Sequence, residues 1–281
     1  MSKTPGTEII ELSDGVYARL HEGLTNAGII IGENGVMIID SLRVPSFARD
    51  LVSDIQYITD KPIQYVVDTH SHWDHSWGNE IFPESTIIGH QNCYSEMLDV
   101  ESNNEWRNKI IKSNESWSEE AKTVKITPPN LTFETSMNLY FGGREIQLMY
   151  LGKAHTSGDI FIHLPKEKIL FTGDVAQDKG VPYMGDGYPS EWPETDARIL
   201  SIDSERFMAG HGPIGDKQAL LNAKNFIDTI VGDLQKGIKE GKNSETASKD
   251  TYELLKKDYG DWRSFDKLEE SMPIIYSKLN K

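Results

Sequence analysis

Cysteine is almost missing from this chain. Cys93 stands alone among 281 residues, so no internal disulfide can form and a cysteine-based zinc site is excluded. Basic residues are also in short supply. Against 44 Asp and Glu there are 29 Lys and Arg, a formal net charge of −15. Such a balance repels polyanions and argues against nucleic acid or an anionic membrane surface as partner. No apolar run approaches the roughly 20 residues of a membrane span. The opening stretch MSKTPGTEIIELSDG has no apolar core of signal-peptide type. These absences give the expectation of a soluble cytoplasmic protein with no membrane partner. They say nothing of oligomeric state.

What is present suffices for a core. Apolar residues make up 37% of the chain, and the length fits one large domain or two small ones. Residues 1–14 read as a polar arm before a strand at Val16–Leu20. Two apolar runs, Ala27–Ile31 and Val36–Ile39, flank Asn34-Gly35, a strong hairpin signal. Asp40-Ser41 then leaves the sheet. Phe47, Leu51, Ile55 and Ile58 have helical spacing. Ile63–Val67 is a strand whose composition suits burial on both faces. Two helices broken at Asn103-Asn104 are expected within 90–112, and a mobile surface excursion over 113–125. Strands follow at 131–133, 138–141, 144–150, 160–164 and 169–171, with a Gly- and Pro-rich loop over 175–189. After a helix at 192–202 comes a brief strand at 206–208. Asp216 is a reasonable N-cap for a long amphipathic helix. Residues 214–281 are expected to cover the sheet as a helical part of one domain spanning 1–281.

Chemistry concentrates in VVDTHSHWDHSWGN, residues 66–79. His70, His72, Asp74 and His75 fall within six positions just after a strand. Imidazole suits zinc, and carboxylate is a harder second partner. Four ligands packed so tightly strain around one tetrahedral ion and read better as divided between two. In extended chain His70 and His72 project to the same side. Three more candidates share the strand-then-ligand placement. His155 follows strand 144–150, Asp174 ends strand 169–171, and His211 follows strand 206–208. Groups at several strand ends can converge on one sheet edge. Five of the eight histidines belong to this set. His21, His90 and His163 read as ordinary residues.

With H-x-H-x-D-H and the later His, Asp and His in hand, the chain resembles the metallo-β-lactamase superfamily from about Val16 to Pro213. The resemblance implies an α/β (α+β) fold, a four-layer αββα sandwich of two mixed β-sheets flanked by helices. It implies two Zn2+ ions per chain. His70, His72 and His155 correspond to ligands of the first, and Asp74, His75 and His211 to ligands of the second. Asp174 corresponds to the carboxylate that bridges both. The β-lactamases with the most similar phrase carry cysteine at that place. Aspartate there resembles glyoxalase II, the lactonases and many general hydrolases of the superfamily. The family's lysine for a substrate carboxylate is replaced by Gln177.

The expected chemistry is hydrolysis of a small-molecule carbonyl compound: an ester, thioester, lactone or amide. Two zinc ions roughly 3.5–4 Å apart would share a hydroxide that attacks the carbonyl carbon. Asp74 would ligate the second ion and orient that hydroxide. Trp73, Tyr183 and Tyr188 are candidate substrate contacts. Asp68 or Thr156 is expected to hold the outer nitrogen of a ligand imidazole. β-Lactam hydrolysis is the alternative. Phosphodiester cleavage is opposed by the acidic charge, and an iron redox site by the full ligand set around Asp74, His75 and His211.

Overall fold

The structure, a computed structural model, describes residues 4–281. Two mixed sheets stack face to face. The first has seven strands in chain order: β1 (Thr7–Ser13), β2 (Val16–His21), β3 (Ala27–Ile31), β4 (Val36–Ile39), β5 (Ile63–Val67), β6 (Thr86–His90) and β7 (Leu131–Phe133). β1 to β4 pair antiparallel, and β3 and β4 are joined through Asn34-Gly35. From β4 to β7 the pairing is parallel. Parallel neighbours need long crossovers, and α1 (Pro45–Ile58) supplies the one from β4 to β5. Pro45 sits in its first turn, where a missing N–H costs nothing.

The second sheet has the order β13-β12-β11-β10-β9-β8. Its members are β8 (Ser136–Phe141), β9 (Arg144–Tyr150), β10 (Ile160–Leu164), β11 (Ile169–Gly173), β12 (Arg206–Ala209) and β13 (Ile214–Asp216). Gly142 and Gly143 both have positive φ, 60° and 72°, which the two-residue turn from β8 to β9 requires.

Strand side chains alternate faces, so the run Ile29-Ile30 in β3 serves two cores. Ile30 joins Met37, Val67, Leu148, Ile162 and Phe171 between the sheets. Ile29 joins Ile38 and Val66 under Leu51 and Ile55 of α1. Continuous apolar strands follow from having both faces covered. The outer face of the second sheet carries α5 (Trp192–Leu200), α6 (Lys217–Lys239), α7 (Ser244–Tyr259) and α8 (Leu268–Leu279). Phe161, Leu170 and Phe207 of the sheet share one cluster with Phe226, Ile230, Leu255 and Met272 of the helices. Asp216 caps α6, accepting from the Ala219 amide at 2.9 Å. None of the helices among the described residues is long and apolar enough to cross a membrane.

Three local expectations fail. The polar arm is an edge strand, β1, paired to β2. The helical break lies not at Asn103-Asn104 but before Asp99, between α3 (Gln91–Met97) and α4 (Val100–Lys112). Asp99 caps α4 by accepting from the amides of Glu101 and Ser102. Residues 113–125 are not a loose excursion. Ala121 and Val124 pack with Val44, Trp77 and Ile110, and Arg107 donates to the Ala121 and Val124 carbonyls.

Candidate metal centre

The seven ligand-type residues meet at one edge of the sandwich. β5 delivers His70 and then α2 (Trp73–Ser76), one turn that carries Asp74 and His75. The β9–β10 loop brings His155, the end of β11 brings Asp174, and the β12–β13 turn brings His211. β11 and β12 run parallel and β10 runs against β11. The loop into β10 and the ends of β11 and β12 therefore open on the same side.

Potential ligand atoms fall into three overlapping groups, within 4.8 Å in each: His70, His72 and His155; His70, His75 and Asp174; Asp74, His75 and His211. His155 Nε2 lies 2.8 Å from His72 Nδ1. His211 Nε2 lies 3.2 Å from Asp74 Oδ2 and 3.3 Å from Asp174 Oδ2. Asp174 touches both ends of the cluster, with Oδ1 3.5 Å from His75 Nε2 and Oδ2 3.8 Å from His155 Nε2.

Outer contacts fix which nitrogen faces inward. His75 Nδ1 donates to Asp40 Oδ2 at 2.7 Å. His70 Nδ1 contacts Thr69 Oγ1 at 2.9 Å, and that hydroxyl donates to Asp40 Oδ2 at 2.9 Å. His211 Nδ1 meets the Leu24 carbonyl at 3.1 Å, and His72 Nε2 meets Asp186 Oδ2 at 3.3 Å. Thr25 Oγ1 donates to Asp74 Oδ2 at 2.9 Å and accepts from Arg43 at 3.1 Å.

The expectation that Asp68 or Thr156 holds a ligand ring is therefore corrected. Asp68 accepts from Asn79, and Thr156 donates to Asp159. Asp40, Thr69 and Asp186 hold the rings instead. Asp40 sits at positive φ, 64°. That backbone is costly for most residues but tolerated by Asp.

The interior of the cluster fits a cation. His70 Nε2, His75 Nε2 and Asp174 Oδ1 are buried and meet no hydrogen-bond partner. Such orphans cost about 1–3 kcal/mol each, yet three are gathered at one point, on His70 and His75, whose outer nitrogens are held, and on Asp174. Nitrogen and oxygen donors without thiolate suit zinc, and also iron or manganese. Burial, then its imidazole neighbours, pushes His70 well below its ordinary range. His155 is driven to about 3 by burial and His72. Burial opposes ionisation of Asp74 and Asp174, but the facing histidines outweigh it and hold both carboxyls well below the usual range. Burial works against protonation of His75 and His211, but the facing Asp174 and Asp74 outweigh it and raise both, His211 to about 9; metal binding at those two rings would release protons.

A cleft of about 830 Å³ opens over the cluster. Trp73 and Tyr183 line it, as does Gln177. Tyr188 does not; its ring lies under the ammonium groups of Lys153 and Lys278, at 4.8 and 5.9 Å. Trp106, absent from the sequence-based set, also lines the cleft, its ring centroid 5.9 Å from that of His72. His21 lies there too. His90 instead caps α3 and stacks on Tyr150, and His163 lies in β10 facing Gln147.

Comparison with known proteins places this geometry. The family model for the metallo-beta-lactamase superfamily matches residues 21–211. A metallo-beta-lactamase type 2 from Bacillus sp. (strain 170) is 24% identical over 238 residues, 80% of this chain and 84% of the relative. The alpha subunit of 2,4-dinitroanisole O-demethylase from Nocardioides sp. (strain JS1661) is 24% identical over 204 residues, 71% of this chain and 54% of that protein. Among solved structures, a metallo-beta-lactamase from Pontibacter korlensis superposes with a TM-score of 0.63 at 20% identity, covering 79% of this chain and 99% of that one.

Proposed function

Because the chain belongs to the metallo-beta-lactamase superfamily, we propose that it is a dinuclear zinc hydrolase of small carbonyl compounds: esters, thioesters, lactones or amides. The observation that carries this reading is the convergence of three buried, unpartnered ligand atoms on His70, His75 and Asp174. His70, His72 and His155 would hold one ion. Asp74, His75 and His211 would hold the other, with Asp174 shared between them. Bound there, the metals would supply Lewis acidity toward a carbonyl and a nucleophilic water at neutral pH.

The chain's own groups do the positioning. Thr25, His211 and His75 all approach Asp74 at Oδ2. That leaves Oδ1 as the oxygen assigned to orienting the attacking water and accepting its proton. Burial and the Asp186 carboxylate raise Tyr183 to about 12. Its phenol stays protonated near neutrality and can donate to a substrate oxygen. Trp73 stacks on Trp117 with centroids 5.9 Å apart and forms a rigid apolar wall. Tyr188 is not among the residues that line the cleft, and no role is assigned to it in this reading. The cluster joining α6, α7 and α8 to the second sheet supports reading residues 4–281 as one domain.

β-Lactam hydrolysis is the second reading, favoured by the similarity to type 2 metallo-beta-lactamases. Zinc-loaded protein assayed with nitrocefin and with a panel of lactones and thioesters separates the two. Turnover of the panel without nitrocefin supports the first. Nitrocefin turnover alone supports the second, and no turnover of either sinks both.

A further inference from the structure

The last helix, α8, lies beyond the family-matched residues 21–211, yet one of its side chains reaches toward the candidate metal centre. Leu268, Met272 and Ile275 recur at helical spacing and bury one face of α8 in the cluster over the second sheet. Lys278 continues that face, three residues after Ile275. Its ammonium donates to the Gly185 carbonyl at 2.8 Å and to the Gly187 carbonyl at 2.7 Å. It also stands 5.9 Å from the Tyr188 ring. An ammonium has three donors and no acceptor. Two of them here hold the backbone on either side of one residue, Asp186.

Asp186 is the outer partner of a candidate ligand. Its Oδ2 lies 3.3 Å from His72 Nε2, and His72 Nδ1 faces His155 Nε2 at 2.8 Å. Of the five candidate ligand rings, His72 is the one that turns Nδ1 inward; His70, His75 and His211 have Nδ1 on outer partners. Asp186 therefore sets which nitrogen His72 presents. Its own side chain is 48% exposed, so packing alone does not fix it. The bend around it is closed by the Gly187 amide, which donates to the Met184 carbonyl at 3.2 Å. Gly185 and Gly187 are buried. A Cβ on Gly185 would overlap the Tyr183 hydroxyl, and one on Gly187 would overlap the Trp192 ring. Buried backbone carbonyls need donors, and Lys278 is the donor that these two find.

We propose that Lys278 is a positioning residue: by holding the Gly185 and Gly187 carbonyls it fixes Asp186 against His72, and so sets that ring for the ion assigned to His70, His72 and His155. This rests on the metal-dependent reading above and gives the C-terminal helix a part in it.

Lys278→Met keeps the stem and removes the donors, whereas Lys278→Arg keeps donors. Zinc titration against a chelator reads the affinity of both ions. Lys278→Met is expected to weaken the ion on His72 about 10-fold, the low end of the range for a group behind a ligand, and to leave the other within about twofold. Lys278→Arg restores most of the loss. Asp186→Asn weakens the same ion, and adding Lys278→Met to it weakens that ion no further, because the two act through one ring. A helix contact that only stabilised the fold would instead give losses that add.

Hydrogen exchange of metal-free protein reads the bend directly. The Gly187 and Tyr188 amides, bonded to the Met184 and Ala154 carbonyls, are expected to exchange faster in Lys278→Met and at the wild-type rate in Lys278→Arg. Unchanged exchange, wild-type affinity in Lys278→Met within about twofold, or additive losses in the double variant overturns the proposal. Should zinc binding respond as expected while neither nitrocefin nor the lactone and thioester panel is turned over, the hydrolase reading fails and the role of Lys278 stands. A wild type that binds no zinc overturns both.

Discussion

Asp40 supports the candidate metal centre without being one of its candidate ligands. It receives three donors: the Thr69 amide on Oδ1 at 2.8 Å, and the Thr69 hydroxyl and His75 Nδ1 on Oδ2. Through the first hydroxyl it also orders His70. Replacing it with Asn preserves shape and tolerates the positive φ of 64°. The amide, however, has one acceptor oxygen. Left toward the Thr69 amide, it turns its NH2 on two donors. Flipped, it turns NH2 on the Thr69 amide. In the first orientation the rings lose the acceptor that keeps their inner nitrogens unprotonated; in the second the rings keep a neutral, weaker acceptor and the Thr69 amide, next to His70, is left facing NH2. A hydrogen bond to a charged group contributes about 1.5–3 kcal/mol. At 1.4 kcal/mol per factor of ten, this is roughly 10–100-fold in metal affinity, the usual scale for a group behind a ligand. Because the proposed assignment gives His70 to one ion and His75 to the other, both ions should weaken. Chelator competition during zinc titration measures this, with circular dichroism to verify the fold. Wild-type affinity at both sites, within about twofold, would refute the reasoning.

Asp174→Asn is expected to lower occupancy of the second ion more than the first in elemental analysis; equal loss of both would contradict a shared carboxylate. His70→Ala should reduce hydrolysis about 100-fold or more while keeping a cooperative urea transition, since its ring lines the ligand cluster rather than the sheet interior. Asp159 gives a pH dependence of stability. Burial raises its pKa from 3.8 to about 7 against the pull of the Thr156 donors. The native state then holds the proton longer than the unfolded chain, so this group's contribution falls as pH rises through that window. Asp159→Asn should flatten the slope of the urea midpoint between about pH 4 and 7, and an unaltered slope would show that Asp159 is ionised in the folded state.

How far the sequence reveals such a protein depends on the range of the interaction. The candidate ligands could be picked out because each follows a strand, and strand ends are marked by short apolar runs. His211 could be found from Arg206–Met208 and the turn after it, far from His70. The hairpin at Asn34-Gly35 and the cap at Asp216 are local chemistry and sit where they were expected. Contacts between distant segments left no periodic trace. Thr25 reaches Asp74, and Arg263 reaches the ligand turn at His211, through pairings that only the folded chain defines. β1 was missed because Glu8 and Glu11 mask its alternation at an exposed sheet edge. For Asp40 a signal did exist. Ile39 of β4 pairs in register with Val67 of β5, and both strands end in aspartate, Asp40 and Asp68. Two parallel neighbours that terminate alike set two carboxyls side by side at the edge where the ligands gather. Burial, with Asp40 as a lesser contributor, raises Asp68 well above the usual carboxylate range, and its partner is the Asn79 amide. Asp40, given three donors, is the one that holds the imidazoles. The division of labour follows from which carboxyl finds donors, a property of the loop after β5 that neither strand discloses alone.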